Sequence, residues 1–256
     1  VYDRKQKACG RLAGYKAMWN QEKGYPPKDF LEELTPLLTN LVEEKLSEDI
    51  VMAGESVGNL NKEWAEKLNL MEGIPVAATL IDSHAGIPGS GVVRPEQWIL
   101  VVGTSSVMLS PSSKEYFKNG IVSGVKGAIV PEYYVLESGI AAVGDMFGWF
   151  VDHMVSEEYA EKAKAEGKNL HVYLTEKASE LKPGESGVVA LDWWNGNKTP
   201  YVDGRLSGVL VGCTLNTKSE EIYRALIEAT AFGTRKIVEM YKEANPDIRM
   251  IIASGG

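Results

Sequence analysis

Cysteine is nearly absent from this 256-residue chain: only Cys9 and Cys213 occur, far apart in sequence. Two such residues build no disulfide framework and offer none of the paired spacings of a structural zinc site, so a reducing compartment, the cytoplasm, is the expected location. Histidine is equally scarce, and His84, His153 and His171 are too dispersed to suggest a zinc centre. No apolar run approaches the roughly 20 residues that span a bilayer. No amino-terminal stretch has the order of a secretory signal, and no membrane partner is expected. A dense basic stripe is missing as well. Lys and Arg number 27 against 35 Asp and Glu, and the net charge is -8. That balance argues against nucleic acid as a partner. It leaves room for a nucleotide, which a few backbone N–H groups can hold.

What is present is ordinary globular material, 44% hydrophobic and 24% charged, long enough for one large core or two smaller ones. The chain opens at Val1 without an initiator Met and closes on a strand pattern running into Gly255 and Gly256. It is therefore expected to be an internal piece of a longer protein.

The hydrophobic periodicity mixes strands and helices throughout, which predicts an α/β or α+β architecture. Short helices are expected over Pro27–Leu34 and from an Asn61 cap to Leu68. "DIVMAGESVGNL" (49–60) reads as strand and turn. "IPVAATLID" reads as a buried strand over Ile74–Asp82 with Asp82 its last residue. "QWILVVGTSSVMLS" (97–110) reads as strand, turn and strand, and 124–139 as two strands around Pro131. An amphipathic helix is expected over Gly144–Met154 and another over Leu170–Leu181, followed by a strand over 187–194. "TKSE" (217–220) is a capping-box pattern opening a long helix with Ile222, Leu226, Ala229, Ile237 and Met240 on one face. Asn245-Pro246 should stop it, and "IRMIIAS" should form the last strand. A cluster of Gly, Pro and Ser makes 87–96 a plausible domain boundary.

Four places could carry chemistry. Asp82 stands at the end of an apolar run, before glycines, where open α/β sheets present groups to ligands. It could equally cap the next helix, and the two roles are compatible if one oxygen serves each. "VVGTSS" combines Gly103, which admits close approach, with the hydroxyls and N–H groups of Thr104, Ser105 and Ser106, the makings of an anion nest. It could also be a plain polar hairpin turn, and no Gly-Lys-Ser/Thr follows to make it a Walker loop. Lys16 ("AGYKAMW") and Glu137 ("YVLESG") are single charges among small or apolar residues, where burial demands a partner. A structural ion pair or surface exposure would satisfy them too. The paired tryptophans of "LDWWNGNKTPY" could line a pocket or belong to the core.

Taken in order, "AGYKAMW", "GIPVAATLIDSHAG", "VVGTSS", "VLESGIAAVGDMFGWFV", "LDWWNGNKTPY", "RLSGVLVG" and "EATAFGTRKIVE" resemble the FGGY family of carbohydrate kinases, from about residue 8 to 256. The resemblance implies an α/β, ribonuclease H-like fold of the actin/hexokinase/Hsp70-like superfamily, with parts of two domains. Residues 1–92 would be the rear of the first, sugar-binding domain, and 93–256 much of the ATP-binding domain, incomplete at its carboxyl end. It implies ATP-dependent phosphoryl transfer to an alcohol group, with a ketopentose or related polyol as substrate. The segments nearest the sugar point to ribulose: L-ribulose to L-ribulose 5-phosphate, in L-arabinose catabolism.

By the same resemblance Asp82 is the general base, and Lys16, Asp82 and Glu137 hold the sugar. Gly103, Thr104 and Ser105 serve the β- and γ-phosphates. Gly255 and Gly256 open the adenosine site, and Trp194 and Asn195 edge the nucleotide pocket. ATP and Mg²⁺ are the expected cofactors, the metal arriving on the nucleotide with no dedicated protein ligands. A homo-oligomer, a dimer, is the expected assembly. The first domain's opening hairpin with its Asp-x-Gly-Thr phosphate motif is not in the sequence, so the piece alone is expected to be nearly inactive. Two alternatives stay open: another family substrate (xylulose, a pentitol or glycerol), or a non-catalytic actin-like nucleotide-binding module.

Overall fold

The computed structural model describes residues 7–244 and 247–255. In chain order the elements begin with β1 (Ala8–Cys9), α1 (Gly10–Ala17), α2 (Lys28–Leu34), α3 (Leu41–Lys45), β2 (Ile50–Val51) and β3 (Ser56–Asn59). Then come α4 (Lys62–Leu68), β4 (Pro75–Ala77), α5 (Asp82–Gly89), β5 (Gln97–Val102), β6 (Ser106–Ser112), β7 (Val122–Ser123) and β8 (Tyr134–Ile140). The remainder comprises α6 (Gly144–Met154), α7 (Glu157–Ala165), α8 (Leu170–Ser179), β9 (Val189–Leu191), β10 (Val209–Val211), α9 (Ser219–Ala244) and β11 (Met250–Gly255). A five-stranded sheet has the order β11-β5-β6-β8-β7. The short pairs are β1 with β2, parallel, and β3 with β4 and β9 with β10, both antiparallel. Among the described residues no helix is long and apolar enough to cross a membrane.

The chain divides into two compact units. One comprises Val1–Trp98, Leu109–Tyr116 and Ser123–Leu136; the other comprises Ile99–Met108, Phe117–Val122 and Glu137–Gly256. In the first, local signals place the helices. The Asn61 side chain accepts the Trp64 N–H at 3.0 Å and starts α4, and Asn69 ends it in the left-handed region. The Cys9 thiol accepts the Leu12 N–H at the start of α1. Ala13, Leu31, Val51, Ala65 and Ile87 are buried there.

In the second unit Met146 and Phe150 of α6, Leu174 and Ala178 of α8, Ala190 of β9, and Leu226 and Ala229 of α9 form one core cluster. Full burial of each large apolar side chain contributes about 1.5–3 kcal/mol. The long helix places its apolar stripe as its spacing predicts: Leu226, Ala229, Ile237 and Met240 are buried and Ile222 packs against the cluster.

Several predicted bounds differ. The strand expected over Ile74–Asp82 is only β4; Asp82 is the first residue of α5 rather than the end of a strand. The apolar run misleads because β4 has one neighbour, β3, in a two-stranded sheet. Of two strands expected around Pro131, only β8 forms. Residues before it make turns, with Gly127 in the left-handed region and its N–H bonded to the Tyr133 carbonyl at 2.9 Å. The strand expected over 187–194 shortens to β9. At the start of α9 it is Glu221, not Glu220, that reaches back, accepting the Lys218 N–H at 2.7 Å. Glu220 instead accepts the Tyr159 hydroxyl. Asn245 and Pro246 lie outside the described residues. The helices at Gly144–Met154 and Lys62–Leu68 have the predicted bounds.

Asp192, directly after β9, is 7% exposed and no cation reaches it among the described residues. Its carboxylate lies against Gly233 of α9, where an added methyl group would overlap it. Burial pushes its pKa up. A folded-state pKa above the unfolded one gives stability that is present below the ordinary carboxylate range, near 3.9, and lost as pH rises. Asp192→Asn should therefore unfold at higher temperature than the parent at pH 7, with the gap closing towards pH 4. Thermal unfolding followed across that range checks it. A gap that widens on acidification would contradict the assignment.

Candidate functional site

The β5–β6 turn is built from its carbonyls. The Gly103 N–H donates to the Ser105 carbonyl at 2.8 Å and closes the turn. The Gly103 and Thr104 carbonyls then accept the first N–H groups of α6. Val143 donates to Thr104 at 2.8 Å, Gly144 to Gly103 at 2.9 Å, and Asp145 to Thr104 at 3.3 Å. A side chain at Gly144 would place its first carbon 2.8 Å from the Gly103 oxygen, so only glycine permits this approach.

The turn and helix wall a cavity of about 640 Å³, lined by Gly103, Thr104, Val143, Gly144, Phe147, Ser254 and Gly255, among others. Gly255 has φ of +120° and packs on the Val102 backbone so closely that any larger residue would overlap it. The cavity is therefore lined by three glycines, the hydroxyl residues Thr104 and Ser254 and the apolar Val102, Val143, Phe147 and Ala253, beside the start of an eleven-residue helix. The first N–H groups of α6 are taken by the turn's carbonyls, so the helix acts on this cavity through its dipole alone. Ser105 closes the turn without lining the cavity, and Gly256 lies outside the described residues.

On the other side of α6 a cavity of about 200 Å³ is lined by Asp145, Met146, Trp149, Trp194 and Asn195. The Trp149 and Trp194 rings lie 4.6 Å apart. The Trp194 indole N–H is buried with no partner among the described residues. Gly208 packs on the Trp194 ring, 2.6 Å from where a side chain would begin.

Glu137 is carried by β8 between Leu136 and Ser138, which are 1% and 0% exposed. Its Oε1 accepts from Lys198 Nζ at 3.2 Å. Glu137 is thus ion-paired, with its side chain 21% exposed.

Asp82 and Lys16 belong to the first unit. Asp82 is exposed at the start of α5 and its Oδ1 accepts the Ser83 N–H at 2.7 Å. The N-cap position is Ile81 and α5 has no side-chain cap, so the capping role expected of Asp82 is not met. Among the described residues its carboxylate bonds only the next residue's N–H, and it is exposed. Lys16 is exposed in the last turn of α1 and has no ion pair among the described residues.

Helix α5 contains Gly86, Pro88 and Gly89, poor helix formers, so packing must hold it. His84 is 1% exposed and Ile87 fully buried. The Arg11 Nε of α1 donates to His84 Nδ1 at 3.1 Å. The Arg11 guanidinium also lies 5.3 Å from the Tyr15 ring centre, and the Tyr15 and His84 rings are 5.2 Å apart. A buried cation held by an imidazole and an aromatic face thus ties the helix bearing Lys16 to the helix bearing Asp82.

Sequence alone marks Gly103, Thr104 and Gly255 but not Val143, Gly144 or Phe147. It marks Asp82 and Lys16 but not the Arg11–His84 bond that joins their helices. A pairing across more than seventy residues leaves no local signal, although a lone Arg at the buried face of a short helix is itself unusual.

A family model described as the carboxyl-terminal domain of the FGGY family of carbohydrate kinases matches residues 99–256. The chain belongs to the FGGY family of carbohydrate kinases. Relatives in this family include the ribulokinase of Halalkalibacterium halodurans, 48% identical over 95% of this chain and 43% of that protein. The ribulokinase of Bacillus licheniformis is 44% identical over 99% of this chain and 46% of that protein. The chain spans less than half the length of these curated relatives. Among solved structures, xylulose kinase from Rhodospirillum rubrum matches with a TM-score of 0.69 at 24% identity, over 86% of this chain and 42% of that one. That likeness shows the fold, the mixed α/β actin/hexokinase-like ATPase fold.

Arg11→Met should lower unfolding free energy by about 1–3 kcal/mol, the cost of removing one partner from a buried polar pair. His84→Asn, whose amide oxygen can replace Nδ1 as acceptor, should lose less. Urea denaturation of both variants checks this, and an unmoved midpoint in Arg11→Met would refute the role given to the bond.

Proposed function

We propose that the protein to which this chain belongs transfers the γ-phosphoryl group of ATP to the terminal primary hydroxyl of ribulose. The supporting observation is identity: the relatives at 48% and 44% over nearly the whole chain are both named ribulokinase, while the xylulose kinase match stands at 24%. In this reading residues 1–92 belong to the sugar-binding domain and 93–256 to the ATP-binding domain, and the protein works in the cytoplasm as a homodimer.

The proposed chemistry assigns each residue a task that its surroundings suit. Asp82 has one oxygen occupied at the helix start and one available, so it can accept a hydrogen bond from the attacking hydroxyl and aim it in line. An ordinary carboxylate is a weak base for an alcohol, but phosphoryl transfer passes through a loose transition state in which orientation matters most. Lys16 donates to, and Glu137 accepts from, sugar hydroxyls, each bond strengthened by its charge.

The cavity beside α6 receives the nucleotide. In this reading the Thr104 hydroxyl meets the β- and γ-phosphates, where negative charge accumulates, and Ser105 holds the turn through its carbonyl. The bare backbone at Gly103 and Gly255 admits close approach, and Gly256 continues that glycine run in sequence. Asn195, with Trp194, borders the neighbouring cavity. Mg²⁺ neutralises phosphate charge when bound with ATP. Such an ion would be bound mainly through phosphate oxygens and water.

Two measurements on the full-length protein test this. ADP release with MgATP and a panel of ketopentoses, pentitols and glycerol should be greatest with ribulose. Signal with none of them would favour a nucleotide-binding module, and a stronger signal with xylulose would move the substrate. Asp82→Asn should lower kcat by about 10²–10⁴-fold with little change in the KM for ribulose. Small, equal changes in both would leave Asp82 as a helix-start residue only.

A further inference from the structure

We propose that Arg11 and His84 are positioning residues for Asp82, their buried bond fixing the first turn of α5 against α1 and so the direction in which the carboxylate meets the attacking hydroxyl. The proposal rests on the reading given above, in which Asp82 aims that hydroxyl.

The need for such a hold lies in α5 itself. Ile81 at its N-cap gives no side-chain bond, and Gly86, Pro88 and Gly89 do not favour a helix. Asp82 is the first residue of that helix, and its Oδ1 is taken by the Ser83 N–H at 2.7 Å. With one oxygen held by the adjacent backbone, the place of the other follows from where the backbone lies. A short side chain has no stem with which to correct an error, and misplacing a reacting group by about 1 Å can cost roughly 10²-fold in rate.

The hold comes from the start of α1 and acts on both sides of Asp82 in sequence. After it, His84 is 1% exposed, and its Nδ1 accepts the Nε–H of Arg11, itself 6% exposed, at 3.1 Å. Before it, the Thr79 hydroxyl lies 4.0 Å from the sulfur of Cys9, the N-cap residue of α1. The segment from Thr79 to His84 is thus anchored at both ends to one element, and that element is itself seated closely. A side chain at Gly14 would begin 2.2 Å from Val125 Cγ2. The Tyr15 hydroxyl donates to the Val135 carbonyl at 3.2 Å, and the Tyr15 ring packs against both the Arg11 guanidinium and the His84 ring. A planar guanidinium enclosed in this way has little freedom left, and parting it from its acceptor leaves two buried polar groups unsatisfied. The first turn of α5 therefore keeps one place relative to α1, and the free oxygen of Asp82 keeps one direction.

The test is steady-state kinetics of the full-length protein with ribulose and MgATP, at a temperature where circular dichroism shows each variant folded. Arg11→Met should lower kcat about 10- to 100-fold and leave both KM values near the parent's, the signature expected of Asp82→Asn. His84→Leu, which fills the site without an acceptor, should do the same and carries the test if Arg11→Met does not fold. His84→Asn, which keeps an acceptor, should retain most of the turnover. In an Asp82→Asn background Arg11→Met should add almost nothing, because it acts through that carboxylate, whereas a general loss of structure would multiply the two losses. Parent kcat in Arg11→Met or His84→Leu, equal losses in His84→Asn and His84→Leu, or multiplied losses in the double variant each overturn the proposal alone. A parent protein that turns over no ribulose, or one indifferent to Asp82→Asn, overturns the functional reading and this proposal with it.

Discussion

The second unit is organised around the bond between the β5–β6 turn and the start of α6. Two carbonyls of the turn, Gly103 and Thr104, receive the first three donors of the helix. Those donors would otherwise need water or a side chain. The approach is possible because residue 144 has no side chain, and it leaves the positive end of α6 aimed at the turn. The cavity beside it follows as a by-product: glycines line it where backbone groups had to meet, and Gly255 completes the lining from β11. From that helix Met146 and Phe150 reach the core cluster, so packing and cavity are parts of one arrangement.

The elements most legible in the sequence are those whose own pattern is sufficient. Helix α6 has an apolar stripe at helical spacing and forms over the predicted residues, and so does α4, which carries its Asn61 cap. The Gly103–Ser105 turn between two apolar runs was legible for the same reason. The failures have a common cause. "IPVAATLID" is apolar enough to be a long buried strand, yet a strand extends only as far as its partner, and β3 offers just Ser56–Asn59. Residues 124–130 carry valine, alanine and isoleucine, but Gly127 in the left-handed region turns the chain there.

The candidate site shows the same division. Asp82, Glu137 and the Gly-Thr-Ser turn could be picked out as side chains and glycines in suggestive places. The contacts between distant segments around them could not. Arg11 to His84, Lys198 to Glu137 and Thr199 to Gly139 are pairings between distant segments, and none has a periodicity or a spacing of its own. Each is a consequence of the fold rather than a cause visible before it.

The paired indoles of Trp149 and Trp194 bring one more property. Their centres are 4.6 Å apart with a tilt of 40° between planes, one ring on α6 and the other on the loop that also carries Lys198. Aromatic chromophores at that separation share their electronic excitation, so the pair is a built-in optical gauge. Any displacement of the loop against the helix alters near-ultraviolet circular dichroism and tryptophan emission without a dye or a label.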